Sequence, residues 1–143
     1  MPKTLSDISE KMRDIDYVML STRTEGGAVG ARPMSNNRDV DYDGDSFYFT
    51  TDDTLMVKDI ARDPQVGISV QGKSGIVGQR PFFVAVEGRA ELIRDKAAFE
   101  AHWTKDLEIW FKDGVDTPGL VLIKVSAVRI HYWDGQDEGE IAL

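Results

Sequence analysis

Apolar and polar positions alternate with a period of two over much of this chain, a pattern that predicts strands. Across Tyr17 to Thr24, Val18, Leu20 and Thr22 alternate with Met19, Ser21 and Arg23, as in a strand with one buried face. Glu25-Gly26-Gly27 is a turn signal, and Ala28 to Ser35 continues as the partner strand. Further strands are predicted over Ser46 to Thr51, Gln65 to Gln71, Phe82 to Arg94 and Leu120 to Trp133. In the stretch from Phe82, the residues Phe82, Val84, Val86, Ala90 and Leu92 share one face. Gly88 in its middle predicts a bulge or a close approach of backbone. Ser126 marks a second point where a long strand is able to bend.

Three segments show the helical period instead. Leu5, Ile8 and Met12 share a face of Thr4 to Arg13, and Thr4 with Asp7 makes a capping box with the shorter acid. Thr54 to Arg62 is a short helix stopped at Asp63-Pro64. Phe99, Trp103, Leu107, Trp110 and Phe111 predict one helix from Asp95 to Phe111, stopped by Asp113-Gly114. Gln136 to Glu140 reads as the start of a polar, acidic tail. No repeat or linker divides the chain, so one domain over residues 1–143 is expected. Six strands with short turns and few helices point to an antiparallel barrel rather than a doubly wound parallel sheet.

Composition narrows the function. At 143 residues with 41% hydrophobic content, the chain is long enough for a core. It has no cysteine, which removes disulfides, thiolate metal sites and cysteine nucleophiles. Its formal charge of −8 disfavours nucleic acid, so an anionic ligand would need a local pocket set against the overall field. No run approaches the ~20 apolar residues of a membrane helix. The first residues lack the apolar core of a signal peptide, and a cytoplasmic location is expected.

Most candidate motifs fail on spacing. Asp39, Asp41, Asp43 and Gly44 open like a calcium loop, but Thr50 stands where the bidentate Glu belongs and a strand follows; a solvated turn is the expectation. His102 and His131 lie far apart, and no zinc, triad or phosphate-loop pattern accompanies them. Three groups remain. Arg32-Pro33-Met34 ends a strand that Pro33 marks as an edge or bend, and Arg32 serves either an anion or a salt bridge. Thr50, Thr51 and Thr54 line a strand-to-helix corner, a place that suits a phosphate and equally suits plain capping. Trp103, Trp110, Phe111 and Trp133 are aromatic positions of the kind that usually fill a core.

In order, the chain reads RPM on a strand, F-x-T, T-x-x-x-T opening a helix, D-P-x-V, FVAVEGRAELIRD, IWFKDG and YWDG. This series resembles the FMN-binding split β-barrel of the pyridoxamine 5'-phosphate oxidase-like superfamily, nearest its bacterial general stress protein branch, over nearly the whole chain. The resemblance implies a mainly β fold: a six-stranded antiparallel split β-barrel with flanking helices. It also implies a homodimer with two FMN sites at the subunit interface. By that resemblance, Arg32, Pro33, Met34 and Ser35 line the ribityl chain and ring. Phe49, Thr50 and Thr51 contact the isoalloxazine, and Thr54 stands where the family has a phosphate-binding Ser. Trp133 matches the family's Trp near the flavin, and Trp110 with Phe111 falls at the cofactor edge.

The chain departs from the family pattern at informative places. The Lys two residues after the family Ser is Met56 here, with Leu55 before it, and a basic position after the strand Arg is Asn37. Losing one charge-assisted contact weakens FMN by roughly 1.5–3 kcal/mol, about 10- to 150-fold. Arg32 is then the main positive charge left for the phosphate. After Trp133 the chain reads DGQDEGEIAL, without the basic segment of the true oxidases, so pyridoxamine-phosphate oxidation is not expected. The expected activity is flavin-dependent redox chemistry, with NAD(P)H as a candidate donor. A non-enzymatic flavin or tetrapyrrole binder and a ligand-free dimeric scaffold are the alternatives.

Overall fold

A computed structural model describes residues 2–13, 15–36, 42–72 and 80–143. Three helices, α1 (Leu5–Met12), α2 (Leu55–Arg62) and α3 (Lys96–His102), accompany seven strands. The strands are β1 (Tyr17–Arg23), β2 (Val29–Ser35), β3 (Asp45–Thr51), β4 (Gln65–Gln71), β5 (Phe82–Ile93), β6 (Leu120–Asp134) and β7 (Asp137–Ala142). They form one antiparallel sheet in the order β2-β1-β4-β5-β6-β3, with β7 also on β6. β2 and β3 end the series and are not paired with each other among the described residues. The sheet curls without closing, as a split barrel. Pro33 sits on β2, where an edge strand tolerates its missing N–H.

The long β6 makes the architecture possible. Its first half pairs with β3 and its second half with β7. Between them β5 and β6 slip register at Glu87/Gly88: Gly88 faces Ala127 and Glu87 faces Arg129. A Cβ on Gly88 would lie 2.9 Å from Val125 Cγ1 and 3.0 Å from Ser126 O, so the expected bulge is also a close backbone approach. Ser126 itself pairs on both sides, with Asp45 and Arg89.

Two sequence expectations need correction. The predicted helix from Asp95 to Phe111 is broken: α3 ends at His102, Trp103 is extended, and a 3-10 turn follows over Lys105–Ile109. The predicted acidic tail is a seventh strand, so the count of six is one short. Its polar residues face out, while Gly139 and Ile141 alternate inward as half-buried positions.

The core lies inside the curl. Leu20, Ile68, Val84, Ile123 and Ile130 are fully buried there, with Ile8 of α1 and Met56 and Ile60 of α2 packed onto them. The Thr4–Asp7 capping box that starts α1 is present in both directions. A second cluster, Phe49, Phe99, Leu120 and Leu122, holds the α3 segment against β3 and β6. Asp43 Oδ1 accepts from the Asp45 N–H and Gly44 has φ +106, the geometry of a tight turn. Asn37, Asp39, Asp41, Gly75 and Gly78 lie outside the described residues. Among the described residues, no helix is long and apolar enough to cross a membrane.

Candidate functional site

The gap between β2 and β3 is a groove of about 250 Å³. One wall is Pro33, Met34 and Ser35 of β2, and the floor is Phe47 to Thr50 of β3. The other wall is the segment after α3, with Leu107, Trp110 and Phe111. That wall is built from ring contacts. Trp103 meets Phe49 edge-on at 5.0 Å and Phe111 at 6.0 Å, and His102 stacks flat on Phe47 at 3.7 Å. The extended step at Trp103 keeps these aromatics on β3 where a straight helix would carry them away. The groove therefore offers flat apolar surface, with Ser35, Asn36, Tyr48, Thr50 and Thr104 as neutral polar groups. Its charged or titratable lining groups are Asp106 and His102, besides the phenols of Tyr17 and Tyr48.

Of the sequence-predicted site residues, Pro33, Met34, Ser35, Phe49, Thr50 and Trp110 come together in this groove. Arg32, Thr51, Thr54 and Trp133 do not line it. Arg32 Nη1 donates to Thr22 Oγ1 (2.8 Å), Leu20 O (3.2 Å) and Gly30 O (3.3 Å), and Nη2 lies 3.8 Å from Asp59. Asp59 is 6% exposed. It accepts from Thr22 Oγ1 at 2.8 Å and from Arg62 at 3.1 Å. Thr51 donates to Asp53, and Thr54 caps α2 by accepting from the Val57 N–H. Met56, where a family lysine was expected, is buried in the core, and Leu55 is exposed. Trp133 lies on the outer face of the sheet, stacked on His131 at 4.2 Å. It shares a shallow depression with Tyr17, Met19 and Phe83.

Sequence reading missed two features. One is the buried Asp59, and its signal was available: an acid on the same helical face as Met56 and Ile60. The other is a pair of phenols. The hydroxyls of Tyr42 and Tyr48 are buried without a hydrogen-bond partner among the described residues, and Tyr48 lines both the groove and a smaller cavity beside it. Burial raises both phenols, Tyr48 to about 12; Ser46 draws them down slightly without reaching hydrogen-bond geometry. Because these groups are held neutral when folded, the unfolded chain releases protons from about pH 10 while the folded chain retains them. Stability is therefore fully present below pH 10 and is lost as pH rises towards 12, by about 2–3 kcal/mol for Tyr48. Tyr48→Phe is expected to leave stability at pH 8 unchanged or raised by about 1 kcal/mol and to flatten the alkaline loss. Urea unfolding at pH 8 and pH 11 measures both; an unchanged alkaline loss in the variant would contradict the assignment.

The groove between the two unpaired edges can be set beside known proteins. The model of the pyridoxamine 5'-phosphate oxidase-like family matches residues 3–143. The chain belongs to this family. Among solved structures, a protein related to general stress protein 26 from Clostridium acetobutylicum superposes with a TM-score of 0.79 at 20% identity, covering 97% of this chain and 94% of that one. General stress protein 26 from Bacillus anthracis gives 0.76 at 20% identity, covering 97% and 98%. A heme binding protein from Mycobacterium smegmatis gives 0.80 at 17% identity, covering 99% of this chain and 59% of that one. At these identities the likeness is one of fold. No curated protein sequence matches the chain. Within the pyridoxamine 5'-phosphate oxidase-like family, then, this chain has the expected mainly β split barrel, with seven strands among the described residues where six were expected.

Proposed function

We propose that this protein is a flavin-binding, general-stress-type redox protein of the cytoplasm, acting as a homodimer whose β2–β3 groove holds the isoalloxazine ring. The observation that carries this reading is the convergence of Pro33, Met34, Ser35, Phe49, Thr50 and Trp110 on one aromatic groove. A bound flavin supplies the electron exchange, with NAD(P)H as the candidate donor, and the protein supplies orientation and surroundings. Here Phe47, Phe49 and Trp110 offer aromatic surface, and Ser35 and Thr50 offer hydrogen bonds to the polar edge of a ring.

The dimer is supported by the outer face. A groove of about 250 Å³ is smaller than the roughly 300–1,000 Å³ of ligand clefts, so a ligand of flavin size needs another wall. Tyr17 lines both the groove and the outer depression, joining the two. Tyr17, Met19, Phe83 and Trp133 leave an apolar patch, each 37–54% exposed, of a kind that marks an interface. A second copy covering that patch would bring its own Trp133 towards the groove, which one protomer alone does not do.

FMN is the flavin the resemblance implies, and only half of it fits the residues present. The ring half fits the groove. The phosphate half does not: Arg32 is tied to Thr22 and Asp59, Thr54 is used in capping, and Leu55 and Met56 carry no charge. Pyridoxamine-phosphate oxidation is disfavoured as well, because β7 sets Glu138 and Glu140 around His131 at 2.8 and 3.5 Å beside Trp133.

Flavin fluorescence tests the reading. Addition of apo-protein is expected to quench flavin emission to one equivalent per protomer. Trp110→Ala is expected to weaken binding about 5- to 30-fold (roughly 1–2 kcal/mol) without altering the unfolding midpoint, since Trp110 is 58% exposed. Equal affinity in the variant would remove Trp110 from the site. Tetrapyrrole binding is a second reading, favoured by His102 at the groove and by the likeness to the mycobacterial heme binding protein. A Soret shift on adding hemin, lost in His102→Ala, with no flavin quenching, would favour it.

A further inference from the structure

We propose that the groove selects a phosphate-free flavin, of the riboflavin class, over FMN; this rests on the flavin reading above. The argument begins with the surroundings of a ring seated in the groove. Among its described lining residues there is no Lys or Arg, and Asp106 stands among them. Its accessible hydrogen-bonding groups include the neutral Ser35, Asn36, Thr50 and Thr104.

The corner where the groove runs out is the place for a flavin's tail. Thr50 is the last strand residue on the floor, and Thr51, Asp52, Asp53 and Thr54 follow before α2. Two carboxylates stand there. Asp53 accepts from Thr51 Oγ1 at 2.6 Å, and Asp52 is 2.7 Å from Arg94, which neutralises it. Of the first N–H groups of α2, that of Val57 is taken by Thr54. Arg32 is drawn back into the sheet by Thr22 and the buried Asp59. Lys58, the fourth residue of α2, is exposed. A dianionic phosphate at this corner would meet Asp53 in a chain of net charge −8, and among the described residues lining the groove there is no Lys or Arg to answer it. A neutral ribityl tail meets hydroxyls and a carboxylate acceptor, which suit its own hydroxyls.

Titration of the full-length apo-protein with riboflavin and with FMN, at 20 mM and 500 mM salt, tests this. Riboflavin is expected to bind at least as tightly as FMN, with FMN about threefold or more weaker at low salt and the gap closing at high salt. FMN binding more tightly than riboflavin would overturn the proposal while leaving the flavin reading intact. Failure of both to bind would overturn the flavin reading itself, and this proposal with it. Leu55→Lys provides a second arm at a position 74% exposed, where folding is not at stake. It is expected to tighten FMN about 3- to 10-fold at low salt and to leave riboflavin unchanged. An equal effect on both ligands would show that the tail does not reach this corner.

Discussion

Asp59→Ala is expected to destabilise the fold by about 3–5 kcal/mol, a range typical of breaking a buried ion pair from one side. Asp59 is 6% exposed and takes charge from Arg32 and Arg62 while accepting the Thr22 hydroxyl. Removing it leaves the partly buried Arg32 guanidinium beside Thr22 with no counter-charge among the described residues, and takes away the carboxylate that accepts from the fully buried Thr22 hydroxyl. Arg62→Ala acts from the exposed side of the same group and is expected to cost about 1 kcal/mol or less. Urea unfolding of both variants separates the cases. A loss below about 1 kcal/mol in Asp59→Ala would mean that the network contributes little and that Arg32 is free to turn elsewhere. That outcome would also weaken the case against a phosphate at the corner.

Gly88→Val is expected to destabilise by more than about 3 kcal/mol, and to prevent folding if the margin of stability is ordinary. Even a Cβ would press on Val125 Cγ1 and the Ser126 carbonyl, at 2.9 and 3.0 Å. The first neighbour is a core side chain and the second is backbone held between two strands. The register slip at Glu87/Gly88 then has no room to form, and β6 would lose its pairing either with β3 or with β7. Gly26→Ala, where nothing lies within 4 Å of the added carbon, is the control and is expected to change little. A Gly88→Val protein as stable as the parent would show that the bulge is not needed.

How much of this was legible in the sequence depended on how local the cause was. β4 was read to the residue, because alternation, a preceding Pro and a following Gly all act within a few positions. Gly88 was legible for the same reason. The break after His102 was not, because Trp103, Leu107 and Phe111 keep a helical spacing even though the backbone passes through an extended step between them; spacing reports which face is apolar, not whether the helix runs on. β7 was missed because an edge strand on a charged face has only two inward positions, Gly139 and Ile141, to betray it.

The site divides along the same line. The segments on β2 and β3 that short motifs singled out are brought together by the fold in one groove. The sequence left Arg32 between an anion and a salt bridge, because its partners Thr22 and Asp59 lie 10 and 27 positions away on other elements. A guanidinium follows the nearest buried carboxylate, and only the tertiary fold says where that is. Trp133 shows the converse: its position on β6 was clear, but the face it occupies, stacked on His131 outside the groove, was not.

The most direct measurement is a crystal structure of the protein soaked with riboflavin. Ring density lying between β2 and β3, against Phe47, Phe49 and Trp110 with a second protomer's Trp133 nearby, is the result predicted. A ring bound on any other surface, or a groove closed by side chains in crystals that do take up the flavin, would contradict it.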